Sequence, residues 1–408
     1  MASRRIVILG TGFAGFSFLR KIDLHRYQVT VVSPRNHFLF TPLLPSTTVG
    51  TIEFRSIIEP VRTARQGVVY YQAECTAIDP QQRSITCAGT EGARTFPLGY
   101  DVLVLAVGAV NATFGIPGVR EHALFLRELS DARAIRQKVI DCFERASLPG
   151  LPPDEQSRLL TIVIVGAGPT GVEFAAELHD FVVDDVRRHY PSVAAGVRII
   201  LLEARSQILS TFDETLSAYT QDYFRRQQIE VQTDQVITSV DDRQVFLRNC
   251  VPLPYGVLVW STGNGPSALI ESLPSPKEGG RVIVDNYFRA DGTATIYAIG
   301  DCASIHGQRL PATAQVAQQE GVHLAKSLNR EAAGGTPVPF RYRDLGMLAY
   351  IGGNKALADL STVKGRGYLA FIFWRSAYLT RLVNLKNKIL VVFDWLKTMV
   401  FGRDISRF

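Results

Sequence analysis

Twice along the chain, a short unbroken apolar run ends in a glycine-rich turn and continues into a segment of helical apolar spacing. The first instance is RIVILGTGFAGFSFLRKI and the second LTIVIVGAGPTGVEFAAELHDF. An apolar run closed by glycine predicts a strand buried on both faces, the kind found in parallel sheets. Gly10, Gly12 and Gly15 in the first stretch, and Gly166, Gly168 and Gly171 in the second, fit G-x-G-x-x-G. In that spacing the first glycine permits a tight turn, the second lets the backbone approach a pyrophosphate, and the third lets helix and strand pack closely. The helix that follows aims its free N–H groups and positive dipole end at the phosphates. Phe13 and Ala14 in the first stretch, with Pro169 and Thr170 in the second, complete the candidate cofactor-binding positions there.

A further apolar strand follows each helix. QVTVVSP ends at Ser33, where such folds carry an acid; a serine can still bond a ribose hydroxyl, and Arg35 lies just beyond. VRIILLEA ends at Glu203. A carboxylate there suits a ribose 2′-OH and repels a 2′-phosphate, so NADH is expected over NADPH, with Arg205 close by to soften the preference. The path from Gly166 to Glu203 exceeds the usual span of about 20 residues, and the extra length falls in VDDVRRHYPSVAAG. Two dinucleotide fingerprints in one chain imply two dinucleotides, most economically a flavin and a nicotinamide exchanging hydride. DVLVLAVGAV and GVLVWSTGNGPS, which contain Ala109 and Gly263, read as strands that return the chain between nested domains, and both residues are candidate cofactor contacts. TIYAIGDCA reads as a strand ending in Gly300 and Asp301, an aspartate placed to hold the ribityl or pyrophosphate part of FAD.

The length of 408 residues and a hydrophobic fraction of 46% allow two or three domains with large cores. Charge adds a localised feature. Residues 341–408 hold 12 Lys/Arg against 4 Asp/Glu, whereas the rest of the chain is slightly acidic. A basic segment of that kind suits an anionic surface, and with no recognition motif beside it nucleic acid is not expected. The five cysteines form neither a C-x-x-C nor a metal-like cluster, so no disulfide framework and no metal site are expected. The first apolar strand begins too early for a signal peptide, and no apolar run reaches 18 residues, so no transmembrane helix is expected.

The ensemble resembles the two-dinucleotide-binding-domain flavoproteins and, within them, the type II NADH dehydrogenases, the single-subunit non-pumping NADH:quinone oxidoreductases. The resemblance is carried by HFLFTPLLPSTTVGTIEFRSIIEPVR, GPTGVEFAAEL, AQVAQQEG and FDWLKTMVFGRD, and is similar in particular to the mitochondrial, yeast-like branch. It implies non-covalent FAD, NADH as substrate, and ubiquinone or menaquinone as acceptor. The A-Q-x-A-x-Q quinone motif of that family falls on Ala314, Gln315, Ala317 and Gln319. The two glutamines stand four apart on one helix face, in a helix expected to start at Pro311. Glu173 is placed by the resemblance near the meeting point of nicotinamide, flavin and quinone, where it could relay a proton. Thr47 or Thr48 and Tyr350 fall on segments that line the quinone cavity in the family.

From Gly367 onward the texture changes again. Leu385, Ile389, Val392, Phe393, Leu396 and Val400 fall on helical spacing, flanked by Lys386, Lys388, Lys397 and Arg403. That basic amphipathic pattern suits a bilayer interface, and Trp374 and Trp395 suit that zone too. A homodimer through the same face is also compatible with it. The expected architecture is α/β: two Rossmann-like domains, one inserted in the other, plus a C-terminal amphipathic helical membrane-anchoring domain. The expected limits are 1–115 and 285–345 for FAD, 116–284 for NADH, with LPGLPPDEQS as a loop ahead of its first strand, and 346–408 for the membrane. The expected location is peripheral, on the cytoplasmic face of a bacterial inner membrane or the matrix face of the mitochondrial one. The competing readings are a reductase of a ferredoxin-like protein acceptor and a signalling flavoprotein like an apoptosis-inducing factor.

Overall fold

The computed structural model describes residues 4–92, 94–248 and 250–406. The chain forms two compact units, one of residues 4–39, 58–110 and 264–343, the other of residues 40–57, 111–263 and 344–406.

The first unit is built on a seven-stranded sheet. Its order is Ile296–Ala298, Val102–Leu105, Arg4–Leu9, Tyr27–Ser33, Val69–Asp79, Ser84–Gly89 and Thr95–Gly99. The first five strands are parallel, and the last two are antiparallel additions. Ile6, Ile8, Leu103 and Val104 are wholly buried, as expected of strands covered on both faces. Two helices meet on this sheet: Phe13–Lys21, which follows the first glycine turn, and Ala314–Ala332. They cross so closely that a Cβ on Gly321 would lie 2.2 Å from the Ala14 carbonyl oxygen. That approach explains the glycine that ends AQVAQQEG, since any side chain there would hold the backbones apart.

The second unit carries a five-stranded, all-parallel sheet in the order Leu124–Phe125, Val257–Trp260, Thr161–Val165, Arg198–Leu202 and Ile229–Gln232. Helix Pro169–Phe181 follows its glycine turn and runs on through a π-helical turn, Val182–Val186. A three-stranded antiparallel sheet, Met347–Gly352, Lys355–Asp359 and Lys364–Gly367, leads into two terminal helices, Tyr368–Arg381 and Leu385–Phe401.

Five expectations need correction. Residues 264–284 go with the first unit, because Arg281–Val284 pairs in parallel with Ala303–Ile305 there. Residues 40–57 go with the second, and the C-terminal segment forms no separate unit. LPGLPPDEQS is only partly loop: Pro153–Leu159 is a helix, started by a proline with Asp154 and Glu155 in its first turn and braced by Arg158 on Glu155 at 2.6 Å. Pro311 does not start the glutamine helix. Thr313 does, accepting the Val316 N–H at its side-chain oxygen.

Candidate active site

The two glycine turns have the same construction. Gly10 has φ +100° and Gly166 φ +97°, and a Cβ on either would strike its own sheet's crossover loop, 2.3 Å from the Ala106 oxygen and 2.5 Å from the Thr262 Cβ. A Cβ on Gly15 or Gly171 would lie 2.2 Å from the Gly10 or 1.9 Å from the Gly166 carbonyl oxygen, the first glycine of each turn. The middle glycines are different. Around Gly168 nothing lies within 4 Å, and Gly12 would meet only Arg35 Nη2 at 3.9 Å. Neither following helix has a side chain capping its first N–H groups. Open space above uncapped helix starts fits a phosphate-bearing ligand at both turns.

The rest of the first cradle supports a dinucleotide. A Cβ on Gly300 (φ +75°) would lie 3.0 Å from Ala14 Cβ. A cavity of about 360 Å³ opens beside it, lined among others by Gly300, Asp301, Ser304, Arg309 and Pro311. Glu320, which the sequence reading passed over, reaches the Gly300 N–H at 2.5 Å and fixes that turn from below. Burial pushes its carboxyl up to about 8, against the pull of the Gly300 N–H. Ser33 is buried and committed inward: its hydroxyl meets Thr11 Oγ1 at 3.1 Å and accepts the Arg35 N–H at 3.2 Å. At the second turn Glu203 accepts the N–H groups of Ala167 (2.8 Å) and Arg205 (3.0 Å), one on each oxygen. Each oxygen keeps a lone pair for a ligand hydroxyl. Gly263 sits at φ +79° against Phe114 and the Ala112 oxygen, where no side chain fits.

Gln319 is half-buried, and its amide clamps the Arg343 backbone, donating to the carbonyl (2.9 Å) and accepting the N–H (3.1 Å). Gln315 stands one turn earlier on the same helix, and Ala314 is its first residue. Thr47 and Thr48 are buried and donate their hydroxyls to the Leu44 and Pro45 carbonyls, closing their own short helix.

Glu173 lies buried in the helix after the second glycine turn. It accepts the Tyr350 N–H at 3.1 Å. Burial drives its carboxyl up to about 8; the Tyr350 N–H opposes that and the charge of Glu177 adds to it. Tyr350 gives its hydroxyl to Asp180 Oδ2 at 2.5 Å and stacks on Trp374 with centroids 5.3 Å apart. Trp374 is itself buried, and its Nε1 has no hydrogen-bond partner of normal geometry. Glu177 and Asp180, four and seven residues after Glu173, were missed in the sequence, although a helical count along VEFAAELHDF puts all three on one face.

The terminal helices correct two further expectations. Trp374 and Trp395 do not sit at an interface. Both are buried, with the Arg375 guanidinium between Phe371 (4.4 Å) and Trp395 (4.5 Å). Arg403 does not flank an apolar face either: its side chain is 8% exposed and binds Asp185 at 2.9 Å. Helix Leu385–Phe401 is inverted relative to an ordinary surface helix. It turns Asn387 and Asp394 inward, where Asn387 donates to the Ser56 carbonyl (2.8 Å) and Asp394 accepts from Ser56 Oγ (2.6 Å). It turns Leu385 (71% exposed), Phe393 (61%), Met399 (75%) and Phe401 (80%) outward. Among the described residues no helix is long and apolar enough to cross a membrane, and no cluster of His, Cys, Asp and Glu is suited to a metal.

Known proteins share this arrangement. The family described as pyridine nucleotide-disulphide oxidoreductase matches residues 4–321, and the NDH2 C-terminal domain matches residues 345–404. A probable NADH dehydrogenase of Dictyostelium discoideum is 47% identical over all of this chain and 92% of its own length. A mitochondrial internal alternative NAD(P)H-ubiquinone oxidoreductase A1 of Arabidopsis thaliana is 43% identical over 99% of this chain and 85% of its own. Among solved structures, that of the NDH2 of Plasmodium falciparum in complex with NADH superimposes with a TM-score of 0.96 at 29% identity, covering 99% of this chain and all of that one. The chain is a two-dinucleotide flavoprotein oxidoreductase of the pyridine nucleotide-disulphide family. Within that family it belongs to the type II NADH dehydrogenases, flavoenzymes that oxidise NADH, reduce quinone and associate peripherally with membranes. The matches run through the C-terminal domain, which neither the protein-acceptor nor the signalling reading explains.

Proposed function

We propose that this enzyme holds FAD at the Gly10–Gly15 turn, takes NADH at the Gly166–Gly171 turn, and reduces ubiquinone. The observation that carries this reading is the pair of open middle glycines above uncapped helix starts, Gly12 and Gly168. When bound, FAD supplies the two-electron chemistry, accepting hydride from NADH and passing two electrons to quinone. The chain's own residues position and protonate. Glu203 takes the adenosine ribose of NADH and disfavours a 2′-phosphate. Asp301, with Gly300 braced by Glu320, orients the ribityl chain or pyrophosphate. The start of helix Ala314–Ala332 stabilises negative charge on the reduced cofactor. Gln315 takes the quinone-contacting role of the motif, and Gln319, committed to Arg343, braces it.

Glu173 is the proton donor to the quinone oxygen. A carboxyl pushed up to about 8 holds its proton at neutral pH and can still release it to a developing quinolate. Tyr350 fixes that carboxyl through its N–H. The outward apolar face of the last helix seats the protein on lipid, the source of a lipid-soluble acceptor. A second copy of the chain is the competing occupant of that face, and a dimer persisting in detergent would favour it.

Gly12→Val and Gly168→Val test the assignment of the two turns. Gly12→Val is expected to purify without flavin absorbance. Gly168→Val is expected to keep its flavin and its reduction by dithionite while losing reduction by NADH. Bleaching of Gly168→Val by NADH at the native rate would contradict the assignment.

A further inference from the structure

The overall reaction, NADH plus quinone plus one proton giving NAD⁺ plus quinol, draws one proton from water in every turnover. A buried Glu173 that gives up its proton must therefore be refilled from solvent. Its neighbours show how. Glu177 stands one helical turn further on, buried, with both oxygens held: Ser46 Oγ donates to Oε1 and Thr51 Oγ1 to Oε2, each at 2.6 Å. Thr51 in turn accepts from Arg403 Nε at 2.9 Å. Arg403 then reaches Asp185 at 2.9 Å and Asp184 at 3.2 Å, and Asp184 is 62% exposed. From Glu177 a continuous file of polar groups thus runs through Thr51 and Arg403 to an exposed carboxylate, and Glu173 stands one helical turn before Glu177 on the same helix face.

The tail is shaped to make this connection. Gly402 ends the last helix at φ +78°, and a Cβ there would lie 2.6 Å from Asp185 Oδ1. The Arg403 N–H bonds the same oxygen at 2.9 Å, and Thr398 Oγ1 bonds the Thr51 carbonyl at 3.2 Å. At the inner end the buried Trp374 Nε1 lacks a hydrogen-bond partner of normal geometry, and its N–H favours the ionised form of Glu173. Burial raises the proton affinity of Glu177, and Arg403, Ser46 and Thr51 oppose that. The other charged or titratable groups facing the pair are Asp180, with His179 beside it, on the same helix, Tyr350 from the sheet, and Arg375 and Tyr378 from the preceding helix.

We propose that Glu177 reprotonates Glu173 after each quinone reduction, and that Arg403, acting through Thr51, is the positioning residue that holds Glu177 for this task. The proton passes from water to the Glu177 carboxylate, then to the Glu173 carboxylate one turn away, and finally to the quinone oxygen. This inference rests on Glu173 being the donor. It gives the C-terminal tail a part in holding the proton path in place.

The test uses the full-length, FAD-loaded enzyme with NADH and a short-chain ubiquinone. Glu177→Gln starts with Glu173 already protonated. It is expected to reoxidise at the native rate in a single turnover, then to fall about tenfold or more in steady state, with small weak acids such as formate restoring the rate. Thr51→Val, which keeps the volume and removes the hydroxyl, is expected to show the same burst and slow phase. Arg403→Lys should show it less. A native steady-state rate in Glu177→Gln overturns the relay, and so does a slow first turnover. Glu173→Gln separates the two layers. If it is slow in the first turnover while Glu177→Gln is unaffected, only the relay falls. If it is fast there, the donor assignment falls with it.

Discussion

Glu173 shows how one residue's environment decides its chemistry. A glutamate on a helix near the protein surface is ordinarily exposed and ionised. Here it is buried under Trp374 and the Tyr350 strand, so the neutral form prevails until pH reaches about 8. Glu173→Gln keeps the shape but has no proton to give. It is expected to slow flavin reoxidation by quinone about a hundredfold while leaving flavin reduction by NADH within about twofold, read by stopped-flow absorbance. In the native enzyme the quinone phase should hold below about pH 8 and fall above it, and the variant should lack that limb. The sign for stability follows from the same shift. The folded state binds this proton more tightly than the unfolded chain, so its contribution is fully present below the unfolded value of 4.5 and is lost as pH rises through about 8. The melting temperature of the native protein should therefore fall relative to Glu173→Gln across that window. The resemblance singled out Glu173, but the Tyr350 N–H that it accepts was not legible in the sequence. Glu177 and Asp180 were visible as spacing and still passed unnoticed, because a carboxylate in an amphipathic helix reads as a solvated one until the packing above it is known.

At the scale of elements, the parts written in local pattern were read correctly and those decided by tertiary context were not. Both glycine turns, their strands and their helices were legible because their spacing is imposed by backbone geometry. The helix of Pro153–Leu159 was hidden in a proline-rich string whose start signal was nonetheless present. The last helix was recognised as amphipathic, yet its Trp395, Trp374 of the helix before it and Arg403 just after it were put on the wrong side. Periodicity shows that two faces differ; it does not show that the unit beneath would bind Asn387 and Asp394 and leave the leucines outside. Phe393→Asp places a charge on the exposed face, where folding does not depend on it. It should abolish co-sedimentation with anionic phospholipid vesicles while leaving turnover with a short-chain quinone within about twofold. Gly402→Ala acts on the same helix from inside. A methyl group 2.6 Å from Asp185 Oδ1, at positive φ, should cost about 2 kcal/mol, measured by thermal or urea unfolding.

For the whole molecule, two glycine turns of one design are proposed to serve two dinucleotides, and the apolar face of the C-terminal segment to meet the membrane from which the acceptor comes. The charge asymmetry read from the sequence survives as a surface feature only in part, since Arg403 is buried and Lys397 is paired with Glu53 at 2.6 Å. Apolar contact, more than net charge, is therefore expected to hold the protein on lipid, and vesicle binding should weaken only modestly with added salt. The most direct measurement is anaerobic stopped-flow: reduce the bound flavin with NADH, then mix with a short-chain ubiquinone and follow the visible absorbance. Rapid bleaching followed by rapid recovery, with recovery alone slowed in Gln315→Ala, is the expected result. Rapid bleaching with negligible recovery on adding quinone would contradict the assignment of quinone as the electron acceptor.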